Sequence, residues 1–288
     1  MVLLVRFGEL GLKSAFVRRQ FQDRLSSNIH EHLLLHRIPA LVRHDHARFY
    51  VHTDEEKRAG EALSHVFGSV SSSPAVESAA SLDALSAAAV QFFSDRSWNA
   101  GTFAVRPRRQ GSHPYRSPDV AKRLGTELLT AFPELRVDLD GPDHALHVEI
   151  RENRAYLFYE VWRGPGGLPV GTQGNVLAPL EDERDLLACW LMLKRGCEVL
   201  LAGDPPAPLM EVLRSWHPKI RAVDGPATME TAKAHRCLSL VSSRSLGNLP
   251  LKDEEKIPTL FPLVGWSEEE ISSALARARG VDLPPLPP

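Results

Sequence analysis

Apolar positions along this chain switch between a strand-like alternation and a helix-like spacing, and each switch marks an element. Val2 to Phe7 is a short apolar run with strand character, and Gly8-Glu9-Leu10-Gly11 turns the chain into a helix capped by Ser14. Val17, Phe21, Leu25, Ile29 and Leu33 recur at helical spacing as its buried stripe, and Pro39 closes it. Ala40 to Arg43 and Arg48 to Thr53 read as strands around the turn His44-Asp45-His46. A helix from Asp54 to Phe67 follows, stopped by Gly68, and a strand near Ser69 to Val76 comes last. The order β-α-β-β-α-β predicts a ferredoxin-like unit.

The pattern then restarts. Leu82, Leu85, Ala89, Phe92 and Phe93 mark an amphipathic helix, and Thr102 to Arg106 is a strand that runs into the loop Arg106 to Arg116. Ser117 as N-cap and Pro118 as first helical residue open a helix with Val120, Leu124, Leu128 and Phe132 inward. His144 to Ile150 and Ala155 to Trp162 form a hairpin around Glu152-Asn153. Past a Gly/Pro-punctuated crossing at Gly164 to Gly174, a strand, the turn Glu181 to Asp185 and a helix from Asp185 to Arg195 begin a strand-helix alternation. It continues through Cys197 to Leu201, Leu209 to Trp216, Ile220 to Val223, Met229 to His235 and Cys237 to Val241, which implies a parallel sheet. Ser267-Glu268-Glu269-Glu270 is a capping box for a last helix, and Val281 to Pro288 is a proline-rich tail. The divisions expected are 1–76, 77–165, a linker at 166–174, and 175–288.

Composition adds little until charge is located. With 288 residues, 43% hydrophobic and 24% charged, the chain has ordinary globular composition and length for two or three units. No apolar run approaches the roughly 20 residues of a membrane span, and Arg6 and Glu9 interrupt the first apolar run, so a cytoplasmic protein is expected. Cys189, Cys197 and Cys237 form no CxxC pair, and no His/Cys spacing matches a zinc site, so no metal is assigned. Net charge is −2, yet residues 1–48 carry eight Lys/Arg against four Asp/Glu, and residues 96–123 carry seven against one. Phosphate is recognised by a patch, so these local excesses matter more than the total.

Two stretches carry candidate chemistry. In the first, Arg106, Arg108, Arg109 and Arg116 can fork onto phosphate, His113 and Tyr115 can stack on an unpaired base, and Lys122 and Arg123 follow on the next helix. Free N–H groups at the start of that helix would add to an anion site. Lys13, Arg18 and Arg19 are further phosphate candidates. The second stretch is the turn Glu181-Asp182-Glu183-Arg184-Asp185, which sits where α/β proteins cradle phosphate but offers no glycine and four carboxylates. It reads as an acidic first turn suited to the positive end of a helix dipole.

These features resemble a known family. VRFGELGLKS, Val17-Arg18-Arg19-Gln20-Phe21 and Asn28-Ile29 are similar to the N-terminal ferredoxin-like domain of tRNA 4-thiouridine synthases (tRNA sulfurtransferases). The strand, basic histidine-bearing loop and helix at Thr102 to Arg123 resemble that family's THUMP domain, and GPGGLPVGTQGNV with LACWLMLKRGCEV resembles its junction with an adenylating PP-loop domain. Ser242 to Leu249 and Phe261-Pro262-Leu263 resemble later PP-loop motifs, but Ser243 and Arg244 replace that domain's functional Gly and Glu. The family's Ser-Gly-Gly-x-Asp-Ser pyrophosphate loop is missing from the acidic turn, and either Asp182 or Asp185 stands at its aspartate. The resemblance implies an α/β protein: α+β ferredoxin-like and THUMP units, then a small, degenerate Rossmann-like domain. The leading reading is a tRNA-binding adapter in tRNA modification that needs no cofactor, grips the acceptor end of tRNA, and works as a homodimer or beside a catalytic partner protein. The alternative is an active uridine 4-sulfurtransferase that uses ATP and Mg²⁺, with Asp182 and Asp185 at the nucleotide.

Overall fold

The computed structural model describes residues 2–8, 14–246 and 257–280. In chain order the elements are β1 (Val2–Phe7), α1 (Ala15–Leu35), β2 (Leu41–His44), β3 (Phe49–His52), α2 (Glu56–Leu63), β4 (Ser69–Ala79), α3 (Leu82–Asp95) and β5 (Ala100–Gln110). Next come α4 (Ser117–Ala131), β6 (Glu134–Val137), β7 (His144–Arg151), β8 (Arg154–Phe158), β9 (Trp162–Arg163), β10 (Asn175–Ala178) and α5 (Glu183–Lys194). The chain continues through β11 (Glu198–Ala202), α6 (Ala207–Trp216), β12 (Arg221–Val223), α7 (Met229–Ala234), β13 (Ser239–Val241), β14 (Thr259–Leu260) and α8 (Glu268–Ala278). The first part is ferredoxin-like as expected, with strand order β2-β3-β1-β4. Two compact units result: Met1–Leu4, Tyr50–Glu56 and Ser73–Val161 form one, and Val5–Phe49, Lys57–Ser72 and Trp162–Pro288 the other.

In the first unit the order β4-β8-β7-β5-β6 places β5 beside β7 in a parallel ladder and β7 beside β8 in a hairpin. Helices α3 and α4 bury Leu85, Ala89, Phe92, Phe93, Val120, Leu124 and Leu128 against Phe103, Leu146, Val148 and Ile150. Each fully buried Phe or Leu there contributes roughly 1.5–3 kcal/mol. The sequence pattern ends the strand at Arg106, whereas β5 runs to Gln110 because its ladder with β7 continues through Arg109↔Ile150 and Gln110↔Arg151. Pro107 is tolerated because β6 pairs with β5 only as far as Phe103↔Val137, which leaves that side of β5 a free edge among the described residues.

In the second unit a five-stranded parallel sheet runs β12-β11-β10-β13-β14. Its core gathers Trp190, Leu193, Val199, Leu213, Trp216 and Ile271 together with Phe67, which stacks on Trp216 at 5.0 Å. Helix α1 buries the predicted Phe21, Leu25, Ile29 and Leu33, while Val17 is only half-buried. It also carries a polar stripe that apolar periodicity does not reveal. Arg24 Nε donates to Val170 O at 2.7 Å, Asn28 Nδ2 to the same carbonyl at 3.2 Å, and His32 Nε2 to Trp216 O at 3.1 Å. Arg24 also pairs with Glu198 at 3.1 Å. The Gly164 to Gly174 crossing, expected as a linker, is thereby tied to α1. Gly171 has φ +89, and a Cβ there would meet the Arg24 guanidinium at 2.3–2.5 Å, so only glycine lets the chain pass.

Candidate nucleic-acid interface and a filled crevice

The arginines of the first unit are set by the extended β5. Strand alternation puts Arg106 and Arg108 on the face opposite Phe103 and Val105, which pack with the helices, and puts Arg109 on the helix side. All three are exposed and lie on the free edge beyond Phe103, so that edge presents guanidinium groups to both sides. Arg106 Nη2 donates to Leu139 O at 3.2 Å, and Arg109 Nη1 donates to Gly111 O at 2.9 Å. Among the described residues no carboxylate pairs with Arg106, Arg108, Arg109, Arg116 or Lys122. Arg123 differs: its guanidinium lies 3.3 Å from Asp83 and 3.2 Å from Glu127. An edge of unpaired arginines suits a phosphate backbone, since Arg forks onto phosphate oxygens.

The loop after β5 corrects two expectations. Tyr115 cannot stack on a base: it is 9% exposed, belongs to the core under α3 and α4, and its hydroxyl donates to Ala80 O. Nor does the helix start offer a row of free N–H groups. Arg116, not Ser117, is the N-cap, Pro118 has no N–H, and the amides of Asp119 and Val120 both bond to Arg116 O, at 3.0 and 3.2 Å. The Arg116 amide is itself taken by the Asp119 carboxylate at 2.7 Å. The charge of the loop therefore comes from side chains. His113 stays half-exposed, with Nε2 2.6 Å from Glu152 O and Nδ1 3.3 Å from Arg109 Nη1.

In the second unit Arg19 is exposed and Arg18 half-buried on the first turns of α1, while Lys13 lies outside the described residues. That unit also contains the crevice in which an open α/β sheet binds its ligand. The chain leaves β10 for β11 and β12 on one side and returns to β13 on the other, so the carboxyl ends of β10 and β13 flank a topological switch point. The described residues there are Pro179, Leu180 and the acidic turn after β10, and Ser242 to Leu246 after β13. Gly247 to Leu249 fall outside the described residues.

Three amides of the turn that could cradle a phosphate, those of Glu181, Arg184 and Asp185, are already satisfied internally. Asp182, the N-cap of α5, accepts from the amides of Arg184 at 2.8 Å and Asp185 at 2.9 Å. Asp185, 8% exposed, accepts from the Glu181 amide at 3.1 Å. Two further charges are paired, Arg184 with Glu268 at 2.8 Å and Glu183 with Arg279. An anion entering here would have to displace the chain's own carboxylates and face their repulsion, about 4 kcal/mol for each like pair 4 Å apart near a protein surface. The three thiols are buried, and burial pushes each of them up, away from the thiolate character that reactive cysteines need. Among the described residues no helix is long and apolar enough to cross a membrane.

Residues 2–73 match the ThiI ferredoxin-like domain and residues 79–160 the THUMP domain. A probable tRNA sulfurtransferase of Methanosarcina acetivorans is 37% identical over 201 residues, which cover 68% of this chain and 48% of that protein. One from Thermococcus kodakarensis is 38% identical over 206 residues, covering 69% and 54%. The chain thus spans about half the length of the curated relatives it matches. The crystal structure of PH1313 from Pyrococcus horikoshii Ot3 superposes with a TM-score of 0.84 at 29% identity, covering 96% of this chain and 98% of that one. A 4-thiouridine synthetase solved as an RNA complex with bound ATP shares the fold, with a TM-score of 0.78 at 21% identity over 97% and 85% of the two chains.

Proposed function

The chain belongs to the tRNA sulfurtransferase family, and on that premise we propose that it binds tRNA and serves tRNA modification as a binding or adapter module without activating a nucleotide itself. The observation that carries the binding half is the free edge of β5, where Arg106, Arg108 and Arg109 stand without carboxylate partners among the described residues. Arg116, Lys122 and His113 extend it, and Arg18 and Arg19 supply further contacts. Arg123 contributes through its long stem more than its charge, because Asp83 and Glu127 already hold the guanidinium. The acceptor end of tRNA fits this reading, with a single strand that follows an electrostatic edge and offers unstacked bases.

The amides of Glu181, Arg184 and Asp185, already donating to the Asp182 and Asp185 carboxylates, support the second half, a domain kept as scaffold or partner surface with no bound ATP or Mg²⁺. The name of the relatives favours the alternative, an ATP-dependent sulfurtransferase in which Asp182 and Asp185 turn to the nucleotide and another chain supplies sulfur. Salt dependence tests the binding half. Log affinity for tRNA falls with log salt by about 0.7–0.9 per phosphate neutralised, and Arg108→Ala or Arg109→Ala flattens that slope by about one each. Equal affinity of the wild type and an Arg106/Arg108/Arg109 triple alanine variant at moderate salt would return the edge to ordinary solvated surface.

A further inference from the structure

The contacts of His113 fix its protonation form by donor and acceptor chemistry alone. Nε2 lies 2.6 Å from Glu152 O, which can only accept, so the proton of the neutral ring is on Nε2. Nδ1 lies 3.3 Å from Arg109 Nη1, which can only donate, so Nδ1 carries the lone pair. One tautomer, Nε2–H, satisfies both partners. The same Arg109 nitrogen donates to Gly111 O at 2.9 Å, so the neutral imidazole and the loop carbonyl hold this guanidinium between them. His113 thus acts as an acceptor for Arg109.

A second proton on Nδ1 changes the contact. Nδ1–H would then oppose an Arg109 N–H, donor against donor and cation against cation, so Arg109 leaves while the ring keeps its bond to Glu152 O. A phosphate oxygen entering the gap accepts from both the imidazolium Nδ1–H and the guanidinium, and its charge cancels the repulsion between them. The groups that face the ring from each neighbouring element are Arg109 from β5, Glu152 from the β7–β8 turn, and Tyr115 from the same loop at 5.4 Å between ring centroids. The Glu152 carboxylate lies over Gly111, where a Cβ would meet it at 3.0–3.2 Å.

We propose that phosphate recognition at this loop is proton-linked, with His113 taking one proton from solvent on Nδ1 as it hands Arg109 to an RNA phosphate. This rests on the RNA-binding reading of the β5 edge. The site is then a two-cation phosphate clamp that forms only on the ligand, with His113 and Arg109 as its two phosphate-binding residues.

The test measures affinity of the full chain for an in vitro transcribed tRNA from about pH 8 down to about pH 5.5 at fixed ionic strength, spanning the range where histidine titrates. Wild type should tighten as pH falls, by up to about tenfold per pH unit and no more, as one linked proton requires. His113→Gln keeps a donor for Glu152 O but takes no proton, and should lose this extra pH dependence, with a salt slope that matches wild type at about pH 8 and is shallower than wild type at about pH 5.5. Imidazole nitrogen shifts of the free protein should report Nε2–H at neutral pH. An unchanged pH profile in His113→Gln, or an Nδ1–H tautomer, overturns the proposal even if Arg109→Ala weakens binding. If alanine at Arg106, Arg108 and Arg109 together leaves binding unchanged, the RNA-binding reading itself is refuted.

Discussion

Acidification should loosen the second unit, with His32 making the largest contribution among the buried histidines. Its side chain is 2% exposed on α1, Nε2 donates to Trp216 O at 3.1 Å, and its pKa is lowered to about 3, first by burial and then by the charges of His65, His217 and His36. A histidine neutral when folded and free to protonate when unfolded makes the unfolded state bind more protons between those two values. Stability is therefore fully present above the ordinary value near 6.5 and falls progressively as pH drops toward 3. From pH 7 to pH 5 that linkage amounts to about 2 kcal/mol, since roughly one and a half units at 1.36 kcal/mol each are traversed. Urea unfolding at both pH values, for wild type and His32→Gln, measures it. Gln keeps a donor for the Trp216 carbonyl but removes the titration, so wild type should lose about 2 kcal/mol more than the variant. His65, lowered chiefly by burial, acts in the same direction in both proteins and cancels in the comparison. Equal losses would show that α1 does not hold a buried neutral imidazole against Trp216.

Two further outcomes follow from packing. Gly171→Ala should destabilise by about 1–3 kcal/mol in thermal or urea unfolding, because φ +89 is strained for alanine and the new Cβ meets the Arg24 guanidinium; a neutral result would mean that α1 does not clasp the crossing. Tyr115→Phe should cost about 1–3 kcal/mol by leaving the Ala80 carbonyl without its donor, yet leave tRNA affinity unchanged; a selective loss of affinity would restore a base-stacking role.

The parts legible in the sequence are those with strong apolar period. The stripe Phe21, Leu25, Ile29 and Leu33 is buried as read, and the α3 and α4 sets Leu85, Ala89, Phe92, Phe93, Val120, Leu124 and Leu128 form one core. Strand β6 escaped notice because Leu135 is its one buried residue, too little for any period to register. The polar clasp of Arg24, Asn28 and His32 was invisible to an apolar pattern, although its spacing of four along a helix was a usable signal. Pro107 made the strand seem to end early, because whether a proline breaks a strand depends on which neighbour its side of the ladder would have faced. Tyr115 looked like a loop aromatic because sequence does not show whether a ring turns inward. In the crevice the four carboxylates were plain in the sequence, but the engagement of two of them, Asp182 and Asp185, with the amides of Glu181, Arg184 and Asp185 needed coordinates.

One incubation tests both halves of the proposal, RNA binding by the arginines of β5 and a crevice in which the amides of Glu181, Arg184 and Asp185 already bond the chain's own carboxylates. Full-length protein, tRNA shown by co-migration to be bound, Mg²⁺ and labelled ATP are mixed, and release of AMP and pyrophosphate is followed. The account predicts a stable tRNA complex with release at the level of a protein-free control. Turnover above that control which disappears in Asp182→Ala or Asp185→Ala would contradict it and establish the ATP-dependent sulfurtransferase reading in its place.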